Sequence, residues 1–98
     1  MQITLSKAAE EWFKDDVGVA ETEYVKFHPR IYGSSPVQEN FALSFSKVDQ
    51  VIDPAVIVEQ GGMHFVIESN DLWFFDGHDL TVDYQKDQDE VMYSYFKR

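Results

Sequence analysis

Two adjacent serines in the stretch Gly33-Ser34-Ser35-Pro36 are the first residues in this chain that could do chemistry. A serine hydroxyl becomes a nucleophile only when a base lies within hydrogen-bond reach of it. No Gly-x-Ser-x-Gly elbow surrounds the pair, and no pattern in the sequence brings a base beside it. Serines also hydrogen-bond the backbone of tight turns, and the flanking glycine and proline favour that role. We therefore assign no catalytic residue.

Three histidines near carboxylates, His28, His64 and His78, are the second group that could do chemistry. The densest local candidate for a metal site is "DGHD" at residues 76–79, because imidazole and carboxylate groups both bind divalent cations. A site requires its ligands to converge, whereas these histidines belong to separate predicted elements, and Asp-Gly before a strand is typical of a turn. We predict no metal site and no cofactor. A small Asp/His metal-binding protein or enzyme is the alternative function.

Cysteine is absent from all 98 residues. The chain therefore has no disulfide, no Cys-type zinc site, no thiolate nucleophile and no thiolate ligand for an iron-sulfur cluster. The N-terminal stretch "MQITLSKAAEEWF" is acidic and amphipathic, unlike a signal peptide, and no run of apolar residues is long enough to span a membrane. These features predict a cytoplasmic protein.

A run of bulky side chains lies in the more acidic half of the chain. The formal net charge is -10, which disfavours nucleic acid and anionic membranes as partners. Four consecutive bulky residues cannot easily all face inward from one element, and large aromatic residues are enriched at interface centres. We predict a protein-binding surface, suited to a basic partner, that consists of Asp71, Leu72, Trp73, Phe74, Phe75, Asp76 and Asp79.

One amphipathic helix is predicted near the N-terminus. "QITL" alternates like a short strand, and Ser6 is in position to cap a helix over "KAAEEWFKDD", which Gly18 is expected to end. The apolar face of this helix consists of Ala8, Ala9, Trp12 and Phe13. Trp12 and Phe13 are predicted to pack on a sheet face that contains Phe27, Phe41, Leu43 and Phe45.

Alternation with a period of two predicts several antiparallel strands after the helix. In the strand that starts at Tyr24, Val25, Phe27 and Ile31 are expected to face one way, and Pro29 indicates an edge or a bulge. The residues expected to face the other way are Lys26, His28 and Arg30. The stretch "VIVEQGGMHFVIE" reads as a hairpin. Residues 69–77 read as a single helical turn, with Ser69 or Asn70 as its N-cap, or as a structured loop. Together these elements predict an α+β fold with a sandwich-like sheet core, in a single domain over residues 1–98.

Three stretches in this order resemble the HesB-like family of A-type iron-sulfur carriers. "ITLSKAAEEWFK" is similar to the family's strand and Ala-Ala helix, and "VKFHPRIYGSSPVQENFALSF" to its long strand, glycine-containing loop and following strand. "FVIESNDLWFFDGHDLTVDY" is similar to its strand, short turn and "DG" hairpin. The resemblance covers nearly the whole chain and implies antiparallel β-sandwich-type sheets with one N-terminal helix.

The resemblance also implies where cluster ligands would stand. Family members that carry clusters place one cysteine in the loop after the long strand and a Cys-x-Cys pair near the C-terminus. The matching loop here is Gly33, Ser34, Ser35 and Pro36, a degenerate ligand loop, and the tail "EVMYSYFKR" has no counterpart of the pair. The chain is thus similar to the cysteine-free, YneR-like branch. We predict a non-catalytic protein-binding or regulatory domain, with partner and oligomeric state, including a homo-oligomer, left open.

Overall fold

The computed structural model describes all of residues 1–98. Its elements follow in the order β1 (Ile3–Leu5), α1 (Lys7–Trp12), a π-helical turn (Phe13–Val17), β2 (Tyr24–Ile31), β3 (Phe41–Val48), β4 (Pro54–Gln60), β5 (Met63–Glu68), a 3-10 helix (Ser69–Phe75), β6 (His78–Gln85) and β7 (Glu90–Lys97). Strands β1, β6 and β7 form one sheet in that order, and the second sheet has the order β3-β2-β5-β4. The predicted α+β architecture is therefore confirmed.

Helix α1 begins where the sequence places it. The Ser6 hydroxyl accepts the Ala9 N–H at 3.1 Å, which satisfies one of the free donors of the first turn. The helix widens into the π-helical turn and ends at Gly18, whose left-handed backbone is the conformation that glycine adopts most readily. Ala9 and Phe13 are buried, whereas Ala8 is exposed. The prediction that Ala8 belongs to the apolar face is therefore wrong.

An aromatic cluster joins α1 to both sheets. The ring of Phe13 is fully buried, with centroids 5.0 Å from Phe45, 5.3 Å from Phe65 and 6.4 Å from Phe27. Trp12 packs edge to face on Phe45 and stacks on Tyr84 of the other sheet. The predicted packing of Trp12 and Phe13 on the sheet that contains Phe45 is confirmed.

The strand registers agree with the alternation in the sequence for both β2 and β3. Leu43 is buried on the inner face, as predicted, and Pro29 lies in the part of β2 that has only β3 beside it. Ile31 lies opposite Phe41 on the same face as Val25 and Phe27, as predicted, but it is 65% exposed. Strand β2 pairs with β5 only over residues 24–26, so its last residues extend past the end of the core.

Two of the short turns contain residues with left-handed backbone. Gly61 and Gly62 connect β4 to β5 with φ of 62° and 79°, as the hairpin prediction requires. Asp76 and Gly77 connect the 3-10 helix to β6 in the same region of backbone space. Glu68 occupies the N-cap position of the 3-10 helix without a side-chain bond, so the predicted caps Ser69 and Asn70 are wrong.

Glu68 is the one buried charged residue of the structure. Its carboxylate accepts the N–H groups of Asp53 at 2.9 Å and Ile52 at 2.7 Å, and it lies 2.9 Å from the Lys26 ammonium. These bonds, chiefly the one from Asp53, lower the pKa of Glu68 from 4.5 to about 2. The carboxylate thereby holds the loop before β4 on the outer face of the second sheet.

Replacing Glu68 by glutamine is expected to remove part of the acid sensitivity of the fold. Because the pKa is depressed on folding, the charged carboxylate stabilises the protein above about pH 4.5, and this contribution is lost as pH falls toward about 2. The melting temperature of wild type should therefore exceed that of Glu68→Gln at pH 6, and the two should converge near pH 2. Glu39→Gln, at an exposed carboxylate, is the control, and a constant difference between wild type and Glu68→Gln at every pH would contradict this account.

Candidate protein-binding surface

The bulky run 72–75 divides between the core and the surface. Phe74 and Phe75 are buried and pack near the Tyr95 ring, whereas Leu72 is exposed and Trp73 is 49% exposed. A 3-10 helix has three residues per turn, so four consecutive side chains point in different directions. Phe74 and Phe75 consequently leave the predicted protein-binding surface, which retains Leu72 and Trp73.

Trp73 is in contact with residues that sequence analysis did not assign to a surface. Its ring packs edge to face on Phe41, with centroids 5.0 Å apart. Phe41 lies opposite Ile31 in the β2–β3 ladder, and the exposed Tyr32 follows Ile31. We call these residues and their chain neighbours at this end of the sandwich the loop-end surface, which consists of Ile31, Tyr32, Phe41, Leu72 and Trp73.

Tyr32 is held outward by an uncommon backbone conformation. Its φ is 64°, a left-handed value that is unfavourable for a bulky residue, and its side chain is 90% exposed. The next residue, Gly33, permits close approach to β3, since a Cβ on it would lie only 2.8 Å from the Ala42 Cβ. Strained backbone of this kind is found preferentially at functional sites.

Gln38 links the loop after β2 to the 3-10 helix. Its side-chain amide donates to the carbonyl groups of Trp73 and Phe74, each at 3.3 Å. The same loop is closed by Ser35, whose N–H donates to the Gln38 carbonyl and whose hydroxyl accepts the Gln38 N–H. Gln38 therefore adds hydrogen bonds to the Phe41–Trp73 contact that joins the two halves of the loop-end surface.

The three acids predicted for this surface have different environments. Asp76 is exposed and Asp71 is half-buried, so both can present charge beside Leu72 and Trp73. Asp79 accepts the Gln2 N–H at 2.8 Å and lies 3.4 Å from Arg98, which links it to the two ends of the chain. Its charge is therefore largely neutralised locally.

The predicted degenerate ligand loop lies beside β7. Ser34, Ser35 and Pro36 line a groove of about 210 Å³ whose other wall includes Tyr93 and Tyr95. Ser35 hydrogen-bonds within the turn, as predicted, and Ser34 is exposed. No base lies within hydrogen-bond reach of either hydroxyl, because the contacts of Ser35 are all to Gln38 backbone groups.

These groove residues do not fit an iron-sulfur cluster. Such clusters are held by thiolates, which are available near neutral pH because the thiol pKa is low. Burial raises the pKa of Tyr95 to about 12, and it also raises that of Tyr93, so both hydroxyls stay protonated. Serine hydroxyls are un-ionised as well, and the groove therefore offers neutral hydroxyls instead of soft anionic ligands.

The three histidines lie apart and are engaged separately. His28 lies 2.8 Å from the Ser46 hydroxyl, and His64 lies 3.2 Å from Glu59. His78 donates through Nδ1 to the carbonyl groups of Phe75 and Asp76, at 2.8 and 3.0 Å. No three His, Asp or Glu side chains are grouped so that they could hold a metal ion.

Comparison with known proteins finds solved structures of the same fold and relatives in sequence. No model of a known protein family matches the sequence. The Escherichia coli protein SufA, involved in biosynthesis of iron-sulfur clusters, superposes with a TM-score of 0.68 at 15% identity over 98% of this chain and 80% of that chain. The Bacillus subtilis protein called pyruvate dehydrogenase inhibitor is 38% identical over 95 residues, which are 97% of this chain and 99% of that protein. An uncharacterized protein of Staphylococcus saprophyticus is 34% identical over 97 residues, covering 96% and 98% of the two chains.

The likeness to SufA is a likeness of fold. It confirms the HesB-like fold that the resemblance in sequence implied. The chain belongs to the family of the Bacillus subtilis pyruvate dehydrogenase inhibitor and its staphylococcal relatives. None of the helices has the length and apolar character needed to cross a lipid bilayer.

Proposed function

We propose that this protein is a non-catalytic regulator that binds pyruvate dehydrogenase through the loop-end surface and lowers its activity. The partner is suggested by the Bacillus subtilis relative, which is called pyruvate dehydrogenase inhibitor and aligns with nearly the whole chain. The observation that carries the mode of action is the exposure of Ile31, Tyr32 and Trp73, of which Trp73 packs on Phe41 and Phe41 lies opposite Ile31.

A contiguous exposed apolar surface supports protein binding better than catalysis. Scattered single hydrophobic residues are normal on a protein surface, but a cluster of large ones marks an interaction site. Trp73 contributes a half-exposed indole supported from behind by Phe41, and Tyr32 an almost fully exposed ring. Aromatic side chains of this kind supply most of the binding energy in many interfaces.

The position of α1 leaves the loop-end surface uncovered. Trp12 packs over Phe45 and Tyr84, which lie further along β3 and β6 than Phe41 and His78. The helix therefore closes the other end of the sandwich. The loop end is closed only by the 3-10 helix and the Gln38 bonds, so its apolar side chains stay available to a partner.

Charge on this chain favours a partner surface that is basic. The formal net charge is -10, and the exposed or half-buried acids Asp71, Asp76 and Glu39 lie close in sequence to the loop-end residues. Apolar anchors surrounded by charge are the usual arrangement of a non-obligate interface. Long-range attraction of this kind mainly accelerates association.

The proposal treats residues 1–98 as one regulatory domain that acts in the cytoplasm, as the sequence predicts. We also assign the chain to a cysteine-free branch of the HesB-like proteins. It contains no cysteine, and the groove beside Ser34 and Ser35 offers only neutral hydroxyls. In this proposal the fold is kept as a binding scaffold, without a cluster and without a catalytic centre.

The direct test adds the purified protein to pyruvate dehydrogenase. We expect saturable inhibition of the initial rate and a complex that sediments together with the enzyme. Heat-unfolded protein at the same concentration is the control for non-specific effects of an acidic chain. The titration extends to roughly a few hundred micromolar protein, because a Kd above that range would be too weak for regulation. If neither inhibition nor a complex is detected there, the assigned partner is wrong.

A further inference from the structure

Strand β7 is an edge strand with unpaired backbone groups along its whole length. It is last in the order β1-β6-β7, and its eight residues pair with β6 without a bulge or a proline. The Arg98 N–H donates to the Gly77 carbonyl, and donors alternate in direction along an antiparallel ladder. The N–H and C=O groups that point to the open edge therefore belong to Val91, Tyr93, Tyr95 and Lys97.

The outer face of β7 carries large apolar side chains that nothing in the chain covers. Phe96 is 58% exposed and Met92 is 39% exposed, two residues on either side of Ser94. Natural edge strands are usually shortened, bulged or charged so that they do not pair with another chain. Strand β4 has such a protection, since it begins at Pro54 with an irregular register before Val56.

The remaining long edge, β3, lacks the apolar side chains. Its outer face carries Ala42, Ser44 and Ser46, and none of the exposed large hydrophobic residues belongs to it. Among the long edges, β7 alone combines a regular ladder, free backbone groups and exposed apolar residues. Pairing with another strand would give the free backbone groups hydrogen-bond partners and would cover the exposed apolar side chains.

We propose that β7 pairs in antiparallel fashion with β7 of a second copy of this chain, about a two-fold axis at Ser94. Residues that face each other across an antiparallel pair point to the same side of the sheet. In this register Met92 lies opposite the second copy's Phe96, and Tyr93 lies opposite its Tyr95. The free N–H and C=O groups of Val91 and Tyr93 then meet those of the second copy's Lys97 and Tyr95.

Charge complementarity selects this register over its neighbours. With the axis at Ser94, Glu90 lies opposite the second copy's Arg98, and the symmetry repeats the pair. Moving the axis to Tyr93 places Glu90 opposite Phe96 and Met92 opposite Ser94, which separates the apolar residues from each other. Arg98 lies 3.4 Å from Asp79, which holds its guanidinium on the outer face where Glu90 would meet it.

The strand is also free of the excess negative charge that would keep two acidic copies apart. Residues 90–98 contain one acid, Glu90, and two bases, Lys97 and Arg98, although the chain as a whole has a net charge of -10. Isologous contacts require a patch that is complementary to itself, and β7 is complementary to itself in charge, in apolar residues and in backbone groups.

A cysteine at the axis tests the arrangement, because the natural chain contains none. Ser94→Cys places two thiols in a non-hydrogen-bonded pair, where Cα atoms are about 4.5 Å apart, within the range of a disulfide. We expect a dimer in sedimentation velocity for wild type, and most of Ser94→Cys as a disulfide-linked dimer after mild oxidation. Ser44→Cys, the same change at the centre of the β3 edge, should stay unlinked.

Charge reversal provides a second test. Glu90→Arg places a positive charge opposite the second copy's Arg98, and the symmetry repeats this repulsion. The dimer dissociation constant should therefore rise about tenfold. Arg98→Glu should do the same, and the double variant should restore dimerisation. A wild-type chain that stays monomeric, or a dimer linked through Ser44→Cys and not through Ser94→Cys, overturns the proposal.

Discussion

Replacing Phe13 by alanine is expected to lower the free energy of unfolding by about 3–5 kcal/mol. The ring is fully buried, and its centroid lies within 6.4 Å of four other aromatic rings, those of Trp12, Phe27, Phe45 and Phe65. Truncation removes the largest buried side chain between the helical segment and the second sheet and leaves a cavity that close-packed rings cannot easily fill. Chemical unfolding followed by circular dichroism measures the loss.

Tyr32→Ala is the matched control, because it also truncates an aromatic residue but at an almost fully exposed position. Its effect on stability should stay within about 0.5 kcal/mol. The Phe13 and Tyr32 variants must therefore differ by several kcal/mol. If Phe13→Ala unfolds at nearly the same denaturant concentration as wild type, α1 does not anchor the core in the way described.

Local signals in the sequence were sufficient for much of the fold. Ser6 marks the start of α1 because a hydroxyl there satisfies a free N–H, whatever the rest of the chain does. Gly61 and Gly62 define the β4–β5 hairpin because the turn needs positive φ at both residues. The register of β3 followed from alternation, since only one face of that strand is apolar, and Leu43 is accordingly buried.

The sequence was less informative where tertiary structure decides. Ile31 continues the alternation of Val25 and Phe27, yet it is exposed, because β2 runs past the end of the core. Alternation states which face a residue is on and not how far the core extends. Ser69 and Asn70 are good capping residues, but the 3-10 helix starts directly from β5 at Glu68, whose carboxylate is bound elsewhere.

The candidate surface was predictable only in part for the same reason. The bulky run predicted a surface around Leu72 and Trp73, and at least one exposed aromatic residue was expected in it. The contributions of Ile31 and Phe41 depend on tertiary structure, because β2–β3 pairing places them opposite each other and Phe41 contacts Trp73 of the distant 3-10 helix. The left-handed backbone of Tyr32 has no signal in the sequence beyond the glycine after it.

Replacing Trp73 by alanine is expected to weaken the complex with pyruvate dehydrogenase by at least about 2 kcal/mol, a roughly 30-fold increase in Kd. The indole is the largest side chain of the loop-end surface, and Phe41 supports it from behind, so it can be buried by a partner without rearrangement. Because Trp73 is half-exposed, its loss should change the stability of the free protein by less than about 1 kcal/mol. Titration calorimetry measures the affinity, and thermal unfolding measures the stability.

Two further variants separate binding from folding. Ile57→Ala removes a half-exposed side chain from β4, away from the loop-end surface, and should change neither affinity nor stability. Phe74→Ala, next to Trp73 but fully buried, should destabilise the fold by about 3–5 kcal/mol. For wild type, the acidic surroundings predict that association slows as salt rises while dissociation changes little. If Trp73→Ala binds as tightly as wild type, or if Ile57→Ala loses affinity to the same extent, the partner docks elsewhere and the loop-end surface has no part in inhibition.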